Sequence, residues 1–95
     1  MISEEEIKDK VKQYKAGKRI GGLKIVLLLA GKGVELHVGG KTYAIKDELK
    51  NLGFRWNGMS WQKYYDKRNY ASVIEMFKTI VEDAEKVEKI ALMDS

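Results

Sequence analysis

Between Gly40 and Tyr65 the chain reads GKTYAIKDELKNLGFRWNGMSWQKYY, and six of its nine aromatic residues stand there among evenly spread lysines and one arginine. An unpaired base exposes two π-faces that stack on Tyr, Phe or Trp, and its phosphate attracts Lys or Arg. The interleaving therefore offers chemistry to both parts of a nucleotide. The opposing interpretation is structural, because large aromatics supply much of a small core's burial. Strand alternation places Phe54 and Trp56 on one face and Arg55 on the other. It also groups Trp61, Lys63 and Tyr65 opposite Gln62 and Tyr64. One of these faces must pack inward, so Phe54 and at least one tryptophan are expected to be structural.

Catalytic chemistry has little material to work with. His37 is the single histidine and there is no cysteine, so neither a metal set nor a nucleophile–base pair can be assembled around it. It is expected to be a solvated residue on the polar side of a strand. Asp47 and Glu48 are neighbours whose side chains diverge by about 100° on a helix, which suits first-turn acids rather than an acid–base pair. Gly21-Gly22 and Gly39-Gly40 lack the spacing and the following Lys-Ser/Thr of a phosphate loop. The expectation is a protein that is not an enzyme and carries no cofactor and no metal.

Ninety-five residues with 44% apolar content make one domain with one core. The acidic start, Met-Ile-Ser-Glu-Glu-Glu, does not resemble a signal peptide, and the apolar run Ile25 to Ala30 is far short of a bilayer span. With no cysteine, a cytoplasmic location is expected. Abundant Lys and Glu with few thermolabile residues fits a thermophile source. The net charge of +4 is unevenly distributed. Residues 1–9 hold one Lys against four acids, and residues 69–95 three against six, whereas residues 10–68 hold fourteen Lys or Arg against four. A basic body between acidic ends suggests a polyanion partner; lysines that merely solubilise the domain are the other explanation.

The elements that must position these residues follow from periodicity. Ser3 and Glu6 have capping-box spacing, and Ile7, Val11 and Tyr14 recur on one helical face until Gly17. Leu23 to Leu29 and Val34 to Val38 read as a β-hairpin, and Gly39-Gly40 turns into a third strand at Lys41 to Ala44, completing a meander. Asp47 to Leu52 is a short connecting helix closed by Gly53. Phe54-Arg55-Trp56 and Ser60 to Tyr65 flank the turn Asn57-Gly58, so Trp56 and Trp61 should meet in a second hairpin. The fold class is α+β, with a small antiparallel sheet of four to five strands and three helices.

From Asp66, a candidate N-cap, a helical pattern runs to Met93, with Tyr70, Val73, Phe77, Ile80, Ala84, Val87 and Ala91 spaced as a heptad seam. At about 1.5 Å per residue such a helix spans roughly 42 Å, beyond the roughly 25 Å diameter of a domain this size. Its distal half is expected to project. Residues 1–83 would form the domain and residues 84–95 an oligomerisation zipper. Ile80, Ala84, Val87, Ile90 and Ala91 would then join copies into a dimer or tetramer.

The segment YAIKDELKNLGFRWNGMSWQKYY resembles the short helix and Gly-aromatic-Arg-Trp hairpin of archaeal ThermoDBP-related single-strand-binding proteins and, more loosely, HARP-type modules of DNA-remodelling helicases. It covers about a quarter of the chain. The order of elements is also similar to the first family. That resemblance implies a basic, aromatic-lined cleft for single strands and zipper-mediated assembly. On it the cleft maps to Tyr43, Arg55, Trp56, Trp61, Lys63 and Tyr65, with Lys18, Arg19 and Lys50 as phosphate contacts. The expected partner is single-stranded DNA, or RNA, bound with little sequence preference. Two alternatives stand beside it: a protein-interaction adaptor acting through the C-terminal helix, and an architectural protein that sits on a duplex groove.

Overall fold

A computed structural model describes residues 2–93. Ser3 opens helix α1 (Glu4–Ala16); its hydroxyl accepts the Glu6 N–H at 3.2 Å, relieving one of the unpaired donors of the first turn. Gly17 ends the helix with φ 89°, a conformation that favours glycine. The chain then forms β1 (Lys18–Ile20), β2 (Leu23–Ala30), β3 (Gly33–Gly40), α2 (Lys46–Asn51), β4 (Arg55–Trp56), β5 (Trp61–Asp66) and α3 (Val73–Met93). The five strands make one antiparallel sheet in the order β1-β2-β3-β5-β4, so the α+β class stands with five strands.

Register decides which face is core. Ile25 pairs with Val38 and Val38 with Trp61, while Val34 pairs with Tyr65. These alternate positions are buried and join Ile7, Val11 and Tyr14 of α1, Leu49 of α2, and Ile80, Ala84 and Val87 of α3 in one cluster. The helices therefore cover one face. The other face carries Lys24, Val26 and Leu28 of β2, Glu35 and His37 of β3, and Gln62 and Tyr64 of β5, with Arg55 beside Gln62.

Three expectations are corrected. No strand forms at Lys41–Ala44; after β3 the chain bends into a 3₁₀ turn at Tyr43–Ile45. Gly40, at φ 92°, permits the exit, because a Cβ there would lie 2.2 Å from the Gly22 carbonyl oxygen, and the Lys41 N–H donates to that oxygen at 2.9 Å. The additional strand is β1, whose three residues carry too little alternation to be read. Second, Asp66 does not cap α3. It caps a 3₁₀ turn at Lys67–Asn69, and Ser72, whose hydroxyl accepts the Glu75 N–H at 3.2 Å, precedes the long helix.

Third, α3 does not project. Its 21 residues span about 31 Å, which fits within the longest molecular dimension of 34 Å. Ile80, Ala84 and Val87 have no exposed surface, and Ile90 and Ala91 pack partly buried against the same core. The seam assigned to a zipper is thus consumed within the chain by α1 and the sheet. Residues 94 and 95 of that segment lie outside the described residues.

One buried acid, Asp83, stands on the inner face of α3. The Asp83 carboxylate, 7% exposed, accepts from the Tyr65 hydroxyl at 2.6 Å and from Lys63 Nζ at 2.9 Å; Lys63 also donates to the Leu52 carbonyl at 2.7 Å. Burial first, and then the bond to Asp83, push the Tyr65 hydroxyl far above the usual tyrosine range. Among the described residues no buried side-chain nitrogen or oxygen lacks a partner.

Candidate nucleic-acid interface

The β4–β5 hairpin turns on Asn57 and Gly58. The Asn57 side-chain oxygen accepts the N–H groups of Met59 and Ser60 at 2.9 and 2.8 Å, and Gly58 takes φ 96°. The tight turn sets Trp56 directly opposite Trp61, with ring centroids 5.5 Å apart and planes tilted by 54°. The two rings differ in role. Trp61 is 6% exposed, and its indole N–H donates to the Thr42 hydroxyl at 3.2 Å. Trp56, on the outermost strand of the sheet, keeps 54% of its surface in solvent.

The facing wall is the 3₁₀ turn and α2. Ile45 and Leu49 are buried and hold this segment on the core, which turns Tyr43 outward at 81% exposure. Lys46 Nζ lies 4.2 Å from the Tyr43 ring centroid and Lys50 Nζ 5.9 Å from that of Trp61, both within cation–π reach. Lys41, Lys46 and Lys50 thus share with Tyr43, Trp56 and Trp61 an open concavity of about 820 Å³. Among the described residues no carboxylate lines it. Such a surface presents apolar π-faces beside three unneutralised cations, which suits a ligand that is flat, aromatic and anionic.

Of the residues expected in the cleft, Tyr43, Lys50, Trp56 and Trp61 come together. Arg55 is adjacent in sequence but exposed on the opposite side of β4. Lys63 and Tyr65 lie outside the cleft because Asp83 draws both toward α3. Lys18 bonds to Glu88 at 2.9 Å and sits over the Tyr14 ring on the helical side. Arg19 is exposed on β1, the strand at the far edge of the sheet. Two lining cations, Lys41 and Lys46, fall outside the expected set. Lys46 follows Tyr43 by three positions, the spacing at which helical side chains meet, so a helical reading of Tyr43 to Asn51 is the signal that finds it.

His37 is half-buried on the uncovered face rather than simply solvated. Its Nε2 lies 3.1 Å from a Glu35 carboxylate oxygen and its Nδ1 3.1 Å from the Ser60 hydroxyl, which also accepts from Asn57 Nδ2 at 3.4 Å. The line of contacts braces β3 against the hairpin tip. Among the described residues no group of three or more His, Cys, Asp or Glu could hold a metal ion, and no helix is long and apolar enough to cross a membrane.

Comparison of the chain with protein-family models, curated proteins and solved structures finds no match.

Proposed function

We propose that this protein is a non-catalytic binder of single-stranded nucleic acid. Bases stack on Trp56 and Tyr43, and phosphates meet Lys41, Lys46 and Lys50. The observation that carries this is the exposure of two large aromatics, Trp56 at 54% and Tyr43 at 81%, in one concavity with three lysines and no acid. A purely structural role would bury both tryptophans, and only Trp61 is buried. Lys46 rests on the Tyr43 ring in the free protein and can exchange that face for a phosphate when a base arrives.

Little sequence preference follows from the lining. Stacking accepts any base, and edge recognition needs free side-chain amides, hydroxyls or carboxylates. Thr42 is buried with its hydroxyl against the Trp61 indole, so the hydroxyl that the lining exposes is that of Tyr43. Membership of the ThermoDBP-related proteins belongs to the same proposal and rests on the helix, the GFRW hairpin and the order of elements. Assembly through the α3 seam does not belong to it, since Ile80, Ala84 and Val87 are buried within the chain.

Fluorescence anisotropy with labelled single-stranded DNA, RNA and matched duplex, at two salt concentrations and with tryptophan emission followed in parallel, tests the proposal. Single-strand binding that quenches emission and weakens with salt is expected. Absence of binding at low salt refutes it. Equal affinity for the duplex favours the architectural alternative, and salt-insensitive association with a protein favours an adaptor.

A further inference from the structure

We infer that a bound single strand does not end in the cleft but continues over the β4 edge onto the uncovered face of the sheet, where Arg55 takes a phosphate and Tyr64 stacks a base. This inference rests on the single-strand reading of the cleft and extends it. Arg55 and Trp56 are consecutive residues of the outermost strand, so their side chains leave on opposite faces. Among the described residues no further strand covers that edge. A polymer stacked on Trp56 therefore has only the thickness of one sheet layer with its side chains to round, on the order of 10 Å, before reaching Arg55.

Beyond Arg55 the face offers the same two chemistries as the cleft. Arg55 pairs in register with Gln62, and Tyr64 stands two residues further along β5, about 7 Å away on the same face. Tyr64 is 46% exposed where the helices cover nothing. The electrostatics of the face select an anion. Of its two carboxylates, Asp66 is paired with Arg68 at 2.6 Å, and Glu35 meets the His37 ring at 3.1 Å rather than a lysine or arginine. Arg55 and Lys24, on the same face, have no carboxylate partner among the described residues. Of the acids with no cationic partner among the described residues, Glu5, Glu6, Asp9, Glu75 and Glu82 lie on α1 and α3, the helices of the opposite layer, and Asp47 and Glu48 on α2. A polyanion leaving the cleft thus meets Arg55 and Lys24 on the sheet face, whereas α3 in the other layer carries five acids against three lysines.

The test compares oligothymidylates of about 4 and about 16 nucleotides, the range of site sizes found on single-strand-binding folds, on the full chain and its Arg55→Ala, Tyr64→Ala and Trp56→Ala variants. Thermal melts confirm folding, and Arg55→Lys, which keeps the charge, serves as a rescue. The expected result is that Tyr64→Ala weakens the long strand about 5- to 150-fold and leaves the short one unchanged. Arg55→Ala should lower the log–log salt slope for the long strand by about 0.7, and Arg55→Lys should restore it. If Arg55→Ala and Tyr64→Ala bind the long strand as wild type does while Trp56→Ala weakens both lengths, the path is refuted and the cleft stands. If neither oligonucleotide binds the unaltered protein, or Trp56→Ala changes neither length, the cleft reading falls and the path with it. Equal weakening of a matched duplex by the Arg55 and Tyr64 variants overturns the path as well, because the face would then be holding a groove.

Discussion

Replacing Trp56 by alanine separates a binding ring from a structural one. Fully buried aromatics hide about 150–250 Å²; with 54% of Trp56 exposed, its side chain hides about 100 Å², or at most about 2.5 kcal/mol of burial. A domain of ordinary stability, about 5–15 kcal/mol, stays folded after such a loss, and its melting point should fall by no more than about 10–20 °C. The binding loss should be large by comparison. One stacked base is worth about 1–3 kcal/mol, a drop in affinity of about 5- to 150-fold. Trp61→Ala makes the contrast. It removes a ring that is 6% exposed and strips the Thr42 hydroxyl of its donor, so a stability loss of about 3–5 kcal/mol is expected. Both variants are to be melted by circular dichroism and titrated against a labelled single strand below the melting point. A folded Trp56→Ala protein with wild-type affinity would falsify the stacking role.

Changing Lys41, Lys46 and Lys50 together to glutamine should lower the salt slope for single strands by about 2, near 0.7 for each phosphate that is no longer neutralised, as read from anisotropy titrations across a salt series. Asp83→Ala leaves Lys63 and the buried Tyr65 hydroxyl without their acceptor and should destabilise the fold by about 3–5 kcal/mol in urea denaturation, whereas Tyr65→Phe, which deletes one bond, should cost about 0.5–1.5 kcal/mol. The Arg68 side chain, followed by its backbone N–H, holds the Asp66 carboxyl down at about 2 from its ordinary 3.8. The folded value is depressed, so the stabilisation it gives is present above about pH 4 and is lost as pH falls toward 2. Asp66→Asn should flatten that limb of an acid denaturation curve; an unchanged limb would show that the ion pair contributes nothing.

Local patterns are legible in the sequence, and tertiary competition is hidden from it. The β2–β3 hairpin follows from the apolar run Leu23 to Leu29 beside the alternating Val34 to Val38, and the tryptophan hairpin from Asn57-Gly58, whose turn needs only residues close in sequence. The fate of α3 is not local. Its seam of Ile80, Ala84 and Val87 has the same spacing whether it meets another copy or α1 and the sheet, and only the arrangement of the other elements decides. A similar ambiguity displaces Lys63 and Tyr65. Their alternation with Trp61 holds in the folded strand, but the register that pairs Val34 with Tyr65 and Val38 with Trp61 turns this face to the core, where both side chains meet Asp83, some twenty residues away. Lys41 and Lys46 stay hidden because Lys41 to Ala44, following a Gly-Gly turn, suits a strand on local grounds. A strand places Tyr43 and Lys46 on opposite faces, where a helical turn brings them together.

The cleft owes its character to a division of labour between two rings in one hairpin. Trp61 is anchored from both sides, by burial in the sheet and by its bond to Thr42, and Thr42 belongs to the loop that carries Tyr43. That bond ties the hairpin wall to the α2 wall before any ligand arrives, and ordering already present in the free protein need not be supplied on binding. Trp56 is left exposed by topology: β4 is the last strand in the sheet order and only two residues long. Exposure of an aromatic at a sheet edge invites edge-to-edge association, and the neighbouring Arg55 and the turn at Asn57-Gly58 oppose this by placing charge on the edge and ending the strand. The features that guard the edge therefore also supply the two chemistries of the proposed site, a π-face on the cleft side and a cation on the other.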